Sequence, residues 1–309
     1  MTGLSDDDRR EMLRQVRRIQ VRTDRMVTDV MAGGYTSVFR GAGIEFDEVR
    51  EFAPGDDIRS VDWNVTARTG KPFVKKFMEE RELTVMLVLD VSASTAFGTQ
   101  PDTLPPSDRG RSVRETAAIV CGCFAFAAAR NNDKAGMVTF TDRIERYVPA
   151  KKGRRHVLRL IREAYAQEHE GRGTDLALAL DYTGRIQRRR AVVFVVSDFF
   201  GKVPERQLKV LARRHDVIAV RIRDPHSETL PNAGLLHLRD PETGNEVAVD
   251  TGNARVRKAL EVRIRDERQQ LQDVCRRAGV DLLDVQTRGS VADPIVRFFR
   301  MREVRGSRR

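Results

Sequence analysis

An α/β fold is what this sequence predicts: a mostly parallel sheet with helices on both faces, preceded by a helix and a small β-rich subdomain. Three observations carry that expectation. The strongest strand candidates, LTVMLVLD (83–90) and AVVFVVSD (191–198), are near-continuous apolar runs, as expected of strands covered on both faces. From residue 83 onward such runs alternate with amphipathic helical stretches, the pattern of strand–helix–strand units. And 309 residues with 40% hydrophobic side chains suffice for one large core or two modest ones.

Taken in order, residues 1–34 read as a charged helix. Ser5 with Asp8 three later is a capping-box pattern, Met12, Val16, Ile19, Met26 and Val30 recur at near-helical spacing, and Gly33 and Gly34 stop the helix. Residues 35–82 change texture. Strand-like pieces EFDEVREF (45–52) and PFVKKF (72–77) are separated by turn signals at 54–56 and 69–71. This β-rich subdomain holds the only tryptophan, Trp63, expected to anchor it to the main domain beside a charged network of Asp56, Asp57, Arg59 and Asp62.

Residues 83–309 form the main domain. After the strand at 83–90, a helix starts beyond Ser112, which makes a second capping box with Glu115; Val113, Ala117, Val120, Phe124 and Ala128 line one face of it. KAGMVTFT and IERYVP predict a hairpin about Asp142 and Arg143. Helices follow at 153–166 and 174–188, then the strand at 191–198, a helix at 204–214 and a strand at 217–222. LLHLRDPETGNEVAVD reads as a hairpin insertion near 235–251 with its turn at 241–245. A long helix at 254–278, a strand VDLLDVQT and a closing helix DPIVRFFRM complete the chain.

Composition narrows the classes. No apolar run approaches the roughly 20 residues of a membrane helix, and the first ten residues lack a signal peptide's apolar centre. Three cysteines, two of them Cys121 and Cys123, give no disulfide framework, so a cytoplasmic location is expected. The net charge of +11 is uneven: 15 basic against 16 acidic residues over 1–82, 26 against 18 over 83–240, and 15 against 11 over 241–309. Clusters such as KKGRR (151–155) and RRR (188–190) could attract nucleic acid, but no aromatics interleave them to stack bases.

In open parallel sheets ligands bind beyond the C-terminal strand ends. There the first strand offers Asp90, Ser92 and Ser94, the later strand offers Ser197 and Asp198, and the loop EGRGTDLALAL presents Thr174 and Asp175. Asp175 is expected in the first turn of the helix that follows, where an acid suits the dipole. Carboxylates and hydroxyls without histidine or cysteine suit a hard cation, Mg²⁺ or Mn²⁺, provided the loop is extended enough to turn the three side chains inward together. Other chemistries fit worse. Position 92 is a serine where a haloacid-dehalogenase-type phosphatase needs a second acid; no Gly-x-Ser-x-Gly elbow or Gly-x-x-x-x-Gly-Lys-Ser/Thr loop occurs, and no histidine has zinc-motif spacing.

Asp-x-Ser-x-Ser, followed in order by GTDL and VSDF, resembles the metal-ion-dependent adhesion site (MIDAS) of von Willebrand factor A domains. That resemblance implies Ser92, Ser94 and Thr174 as direct oxygen ligands, with Asp90 and Asp198 acting directly or through waters. The segment GAGIEFDEVREFAPGDDIRSVDWNVTARTGKPFVKKFMEERE (41–82) resembles the signature of the bacterial family called domain of unknown function 58, which couples such a segment to a von Willebrand A-like domain. Membership implies partnership with a MoxR-type AAA+ ATPase as adaptor or co-chaperone and no known catalytic activity. Many relatives carry transmembrane helices ahead of the signature; the charged helix here points to the subtype without them. The expectation is a non-enzymatic, chaperone-like interaction module that receives an acidic side chain of the ATPase or a client protein on a Mg²⁺ site. Two alternatives stay open: a metal-dependent phosphoesterase using the same ligands, and a nucleic-acid binder driven by the basic surface.

Overall fold

Six strands form the central sheet of the computed structural model, which describes residues 23, 49–53, 58, 61, 63–75, 82–96, 111–166, 170–225, 227–229 and 231–306. Ahead of the sheet, β1 (Val49–Glu51) and β2 (Phe73–Lys75) pair antiparallel, and α1 (Trp63–Thr69) lies between them in sequence. The sheet itself uses β3 (Thr84–Asp90), β4 (Lys134–Phe140), β5 (Ile144–Lys151), β6 (Val192–Ser197), β7 (Asp216–Arg223) and β10 (Asp281–Gln286). A separate hairpin is made of β8 (Leu235–Arg239) and β9 (Glu246–Asp250). The helices after α1 are α2 (Val113–Arg130), α3 (Arg154–Ala166), α4 (Leu176–Ile186), α5 (Glu205–Ala212), α6 (Ala254–Ala278) and α7 (Ala292–Gly306).

The strand order is β10-β7-β6-β3-β4-β5, parallel throughout except for the antiparallel edge strand β5. This is the mostly parallel α/β architecture with helices on both faces that the sequence predicts. Side chains alternate between its two faces. Val85, Leu87 and Leu89 join Phe194, Val196, Ile218 and Val220 under α2, α3 and α7. Met86 and Val88 join Val193, Val195 and Ala219 under α4, α5 and α6. After β3 the chain steps to β4 and β5 on one side, then returns to β6, β7 and β10 on the other. The order therefore reverses between β3 and β6, where open sheets leave a crevice at the C-terminal strand ends.

Local chemistry sets the helix limits. The Ser112 hydroxyl accepts the Glu115 N–H at 3.0 Å, and Gly279 closes α6 at φ +69. α2 is more deeply enclosed than its single apolar stripe suggests. Thr116 through Ala128 are buried on every side, because α3 packs beside it and the small residues Ala117, Ala118, Gly122, Ala125 and Ala127 admit close neighbours. Burial pushes the thiol of Cys123 up to about 12 and that of Cys275 to about 11, and raises Cys121 as well, so all three cysteines pack as small apolar groups.

Two expectations need correction and others fall outside the described residues. α1 was not anticipated; the Thr69 hydroxyl donates to the Val65 carbonyl at 2.9 Å, and Gly70 at φ +72 ends the helix. Trp63 is 67% exposed rather than a buried anchor, and the described pieces around it, a pair of three-residue strands and two helical turns, are too short to enclose an indole. The network expected of Asp56, Asp57, Arg59 and Asp62 lies outside the described residues. So does the helix at 1–34 apart from Thr23, which is helical and buried, its hydroxyl 3.2 Å from where a Cβ on Gly122 would sit. Among the described residues no helix is long and apolar enough to cross a membrane.

Candidate metal centre

β3 delivers Asp90 into the crevice between β3 and β6, where its carboxyl is almost completely buried. One oxygen accepts the Ser92 N–H at 3.0 Å; the other accepts the hydroxyl of Ser197, at the end of β6, at 2.7 Å. Beyond Asp90 the chain is not extended, contrary to the sequence-based expectation. Residues Ala93–Ala96 wind into a 3-10 turn, held by the Thr95 hydroxyl donating to the Ser92 carbonyl at 2.7 Å. The turn, rather than an extended loop, brings the hydroxyls of Ser92 and Ser94 to 3.0 Å from each other.

Thr174 arrives from a different direction. The Ala93 N–H donates to the Arg172 carbonyl at 3.0 Å, which seats the 170–175 loop against the 3-10 turn. β4 and β5 hold the loop from the far side: the Asp175 N–H donates to the Thr141 carbonyl at 2.8 Å, and the Gly171 N–H to Glu145 Oε1 at 2.9 Å. The Thr141 hydroxyl donates to that same oxygen at 2.6 Å. Gly171 admits no side chain, because a Cβ there would lie 2.0 Å from Thr141 Oγ1. Thr174 itself is exposed, and its hydroxyl donates at 2.8 Å to Oε1 of Glu242, from the β8–β9 turn. Asp175 takes no part; it caps α4 by accepting the Leu178 N–H at 2.9 Å.

Asp198 follows β6 and is half-buried. Its Oδ1 accepts the Phe200 N–H at 3.0 Å, and among the described residues its other oxygen makes no hydrogen bond. The backbone here is unusual. Phe199 adopts φ +54, a left-handed conformation that non-glycine residues rarely occupy, and its N–H donates to Ser197 Oγ at 3.0 Å. The next side chain, Phe200, is left 68% exposed beside the crevice.

The electrostatics of the cluster are lopsided. Burial first, and then the charge of Asp198, push the Asp90 carboxyl up to about 6 against the hydrogen bonds from Ser92 and Ser197. Arg114 is close enough to feel Asp90, yet its hydrogen bonds go to the Val91 carbonyl at 3.1 Å and to Thr95 Oγ1 at 3.4 Å. Two carboxylates thus repel one another with no cationic side chain hydrogen-bonded to either among the described residues. Among those residues no three carboxylate, imidazole or thiol groups converge on one point, so an ion here would draw on hydroxyl oxygens as well. Two carboxylates and three hydroxyls are all-oxygen donors of low total charge, and they fit Mg²⁺ or Mn²⁺.

The structure therefore gathers Asp90, Ser92, Ser94 and Asp198 at the β3 and β6 ends and sets the Thr174 loop against them. Sequence reasoning missed Ser197 as the group that orients Asp90, Thr141 and Glu145 as supports of the Thr174 loop, and Glu242. Ser197 was legible from its place beside Asp198; Glu242, 68 residues from Thr174, carried no local signal.

Residues 48–270 match the family model described as protein of unknown function DUF58. This chain belongs to the DUF58 family. An uncharacterised protein of Mycobacterium bovis is 30% identical to this DUF58 protein over 298 residues, covering 95% of this chain and 90% of that one. Among solved structures, the conserved hypothetical protein BatB from Bacteroides thetaiotaomicron superposes with a TM-score of 0.45 at 16% identity, covering 74% of this chain and 100% of that one. A von Willebrand factor type A protein from Catenulispora acidiphila gives 0.35 at 12% identity, over 73% of this chain and 42% of its own.

Proposed function

We propose that this DUF58 protein is a divalent-cation-dependent protein–protein interaction module. One observation carries the reading: two mutually repelling carboxylates, Asp90 and Asp198, stand with hydroxyls at the sheet's reversal point, and among the described residues no cationic side chain is hydrogen-bonded to either. When bound, a Mg²⁺ or Mn²⁺ ion supplies a coordination position that an external carboxylate can fill. Ser92, Ser94 and Thr174 would hold the ion, with Asp90 and Asp198 acting directly or through waters. Ser197 keeps Asp90 oriented, and Phe200 offers an apolar contact to whatever residue flanks the incoming acid.

The partner in this reading is a MoxR-type AAA+ ATPase or a client protein presenting an acidic side chain, in the cytoplasm, with this chain as adaptor. The described histidines nearest the sheet also favour binding over hydrolysis. His156 contacts the Ala135 carbonyl and His215 precedes β7, both at the N-terminal strand ends, opposite the crevice. The test is calorimetric titration with Mn²⁺ and Mg²⁺. Micromolar to millimolar binding that Asp90→Ala and Ser92→Ala abolish supports the site; a wild-type chain that takes up neither ion refutes it. Recovery of an AAA+ ATPase from native lysate by the wild type and not by Asp90→Ala tests the partner.

A further inference from the structure

The β8–β9 hairpin reaches the crevice with the side chain of Glu242. Its turn is tightly built: Asp240 accepts the Glu242 N–H at 2.9 Å and the Thr243 hydroxyl at 2.6 Å, and the Gly244 N–H returns to the Asp240 carbonyl at 2.8 Å, with Gly244 at φ +75. These bonds hold the Asp240 carboxyl below its usual range and fix the direction in which Glu242 leaves the turn. Glu242 Oε1 then accepts the Thr174 hydroxyl at 2.8 Å, while Oε2 lies 3.9 Å from where a Cβ on Gly173 would sit. The contact joins a would-be ion ligand to a carboxylate on a structurally independent element.

The hairpin is fastened at its base and loosely seated at its tip. The base is pinned by Thr251, which is fully buried, donates its hydroxyl to the Gly234 carbonyl at 2.6 Å, and accepts the Arg257 guanidinium on its own carbonyl at 2.6 Å. The apolar face of the ladder carries Leu236 and Val249 near the base, both half-buried, then Leu238 and Val247 toward the tip, both exposed. Packing thus fades along the hairpin until the Glu242 carboxylate makes the contact with Thr174. Glu242 is half-buried, and among the described residues Asp90, Asp198 and Glu242 do not converge into one three-carboxylate cage.

We propose that Glu242 is the chain's own stand-in for the partner's acid. It occupies the place beside Thr174 that an external carboxylate must take, and the hairpin tip has to lift before that acid can bind. The inference rests on the cation reading above and adds to it an internal competitor. It predicts that external carboxylates bind weakly to the wild type and more tightly when the Glu242 carboxylate is gone.

The test uses the full chain, Mn²⁺ as the ion and acetate as the carboxylate probe. Water-proton relaxation reports Mn²⁺ binding and its loss of bound water when acetate enters. Hydrogen–deuterium exchange of residues 235–250 reports the hairpin. Glu242→Gln is expected to tighten acetate binding to the Mn²⁺-loaded protein by about 5- to 20-fold, the lower part of the range of a typical coupling between sites. Glu242→Asp, one methylene shorter, should fall between. In the wild type, saturating acetate should speed exchange across the turn. Acetate affinity unchanged by Glu242→Gln, with Mn²⁺ binding intact and lost in Asp90→Ala, overturns the Glu242 proposal alone. Absence of Mn²⁺ binding in the wild type overturns both it and the cation reading. The hairpin variants are surface substitutions, and unchanged exchange in the sheet verifies their fold.

Discussion

Asp284 on β10 and Asp90 on β3 are both acids carried by inner surfaces of the same sheet, and the chain supplies their surroundings differently. Asp284 lies in register with Arg221 on β7, whose Nε donates to it at 2.7 Å, and Arg268 of α6 approaches its other oxygen at 3.8 Å. Asp90 receives only neutral donors, Ser92 and Ser197, and faces a second acid. The same sheet therefore pairs one acid directly with arginine and, among the described residues, leaves the other without an ion pair, since Arg114 feels its charge but spends its hydrogen bonds on Val91 and Thr95. An unbalanced buried acid costs stability unless something else brings positive charge, which is how a structural ion pair and a functional site come to look different in one scaffold.

The largest expected effect breaks the balanced side. Arg221→Ala strands Asp284 and should destabilise the protein by about 2–4 kcal/mol in urea unfolding, less than a fully enclosed pair would lose because Arg268 remains. A loss under about 0.5 kcal/mol, the size of an exposed pair, would dissolve the contrast. The opposite sign is expected at the other site. A carboxyl whose value is raised from 3.8 to about 6 on folding stabilises the fold only while protonated, fully below pH 3.8 and progressively less as pH climbs through 6. Asp90→Asn removes that penalty, so with EDTA at pH 7 it should raise stability by about 1–3 kcal/mol while eliminating Mn²⁺ binding. A drop in thermal midpoint would show that Asp90 is structurally paired after all.

A smaller effect tests the loop that carries Thr174. Gly171→Ala forces the loop away from Thr141 and should weaken Mn²⁺ affinity roughly 10-fold, as supporting residues of metal sites do. Equal affinities would detach Thr174 from ion binding. The smallest effect lies far from the crevice. Lys134 and Lys152 hold the Glu82 carboxyl down at about 2, so its stabilising contribution is present above pH 4.5 and disappears as pH falls from there toward 2. Glu82→Gln should flatten the acid limb of the stability curve slightly and lower the curve above pH 5 by a small constant amount, leaving its slope there unchanged.

Much of the sheet was legible because strand periodicity is a local property. LTVMLVLD and AVVFVVSD announce double burial within eight residues, and the acids that end them mark the crevice. Roles that depend on distant partners were harder to read, even where the residue itself stood at a legible strand end. Ser197 matters through Asp90, 107 residues away, and Glu242 through a turn folded back over the sheet. Trp63 misled for the converse reason: an indole suggests an anchor, but the described pieces around it are too short to enclose one.

The hairpin can also be viewed as a lever. Five residues per strand at about 3.4 Å each put its turn roughly 17 Å beyond the fulcrum at Gly234 and Thr251. At that radius a rotation of about 20° moves Glu242 by roughly 6 Å, with every rung of the β8–β9 ladder intact. Mechanical advantage of this kind lets a small displacement at the buried end, next to α6, act on the mouth of the crevice without deforming the sheet between them.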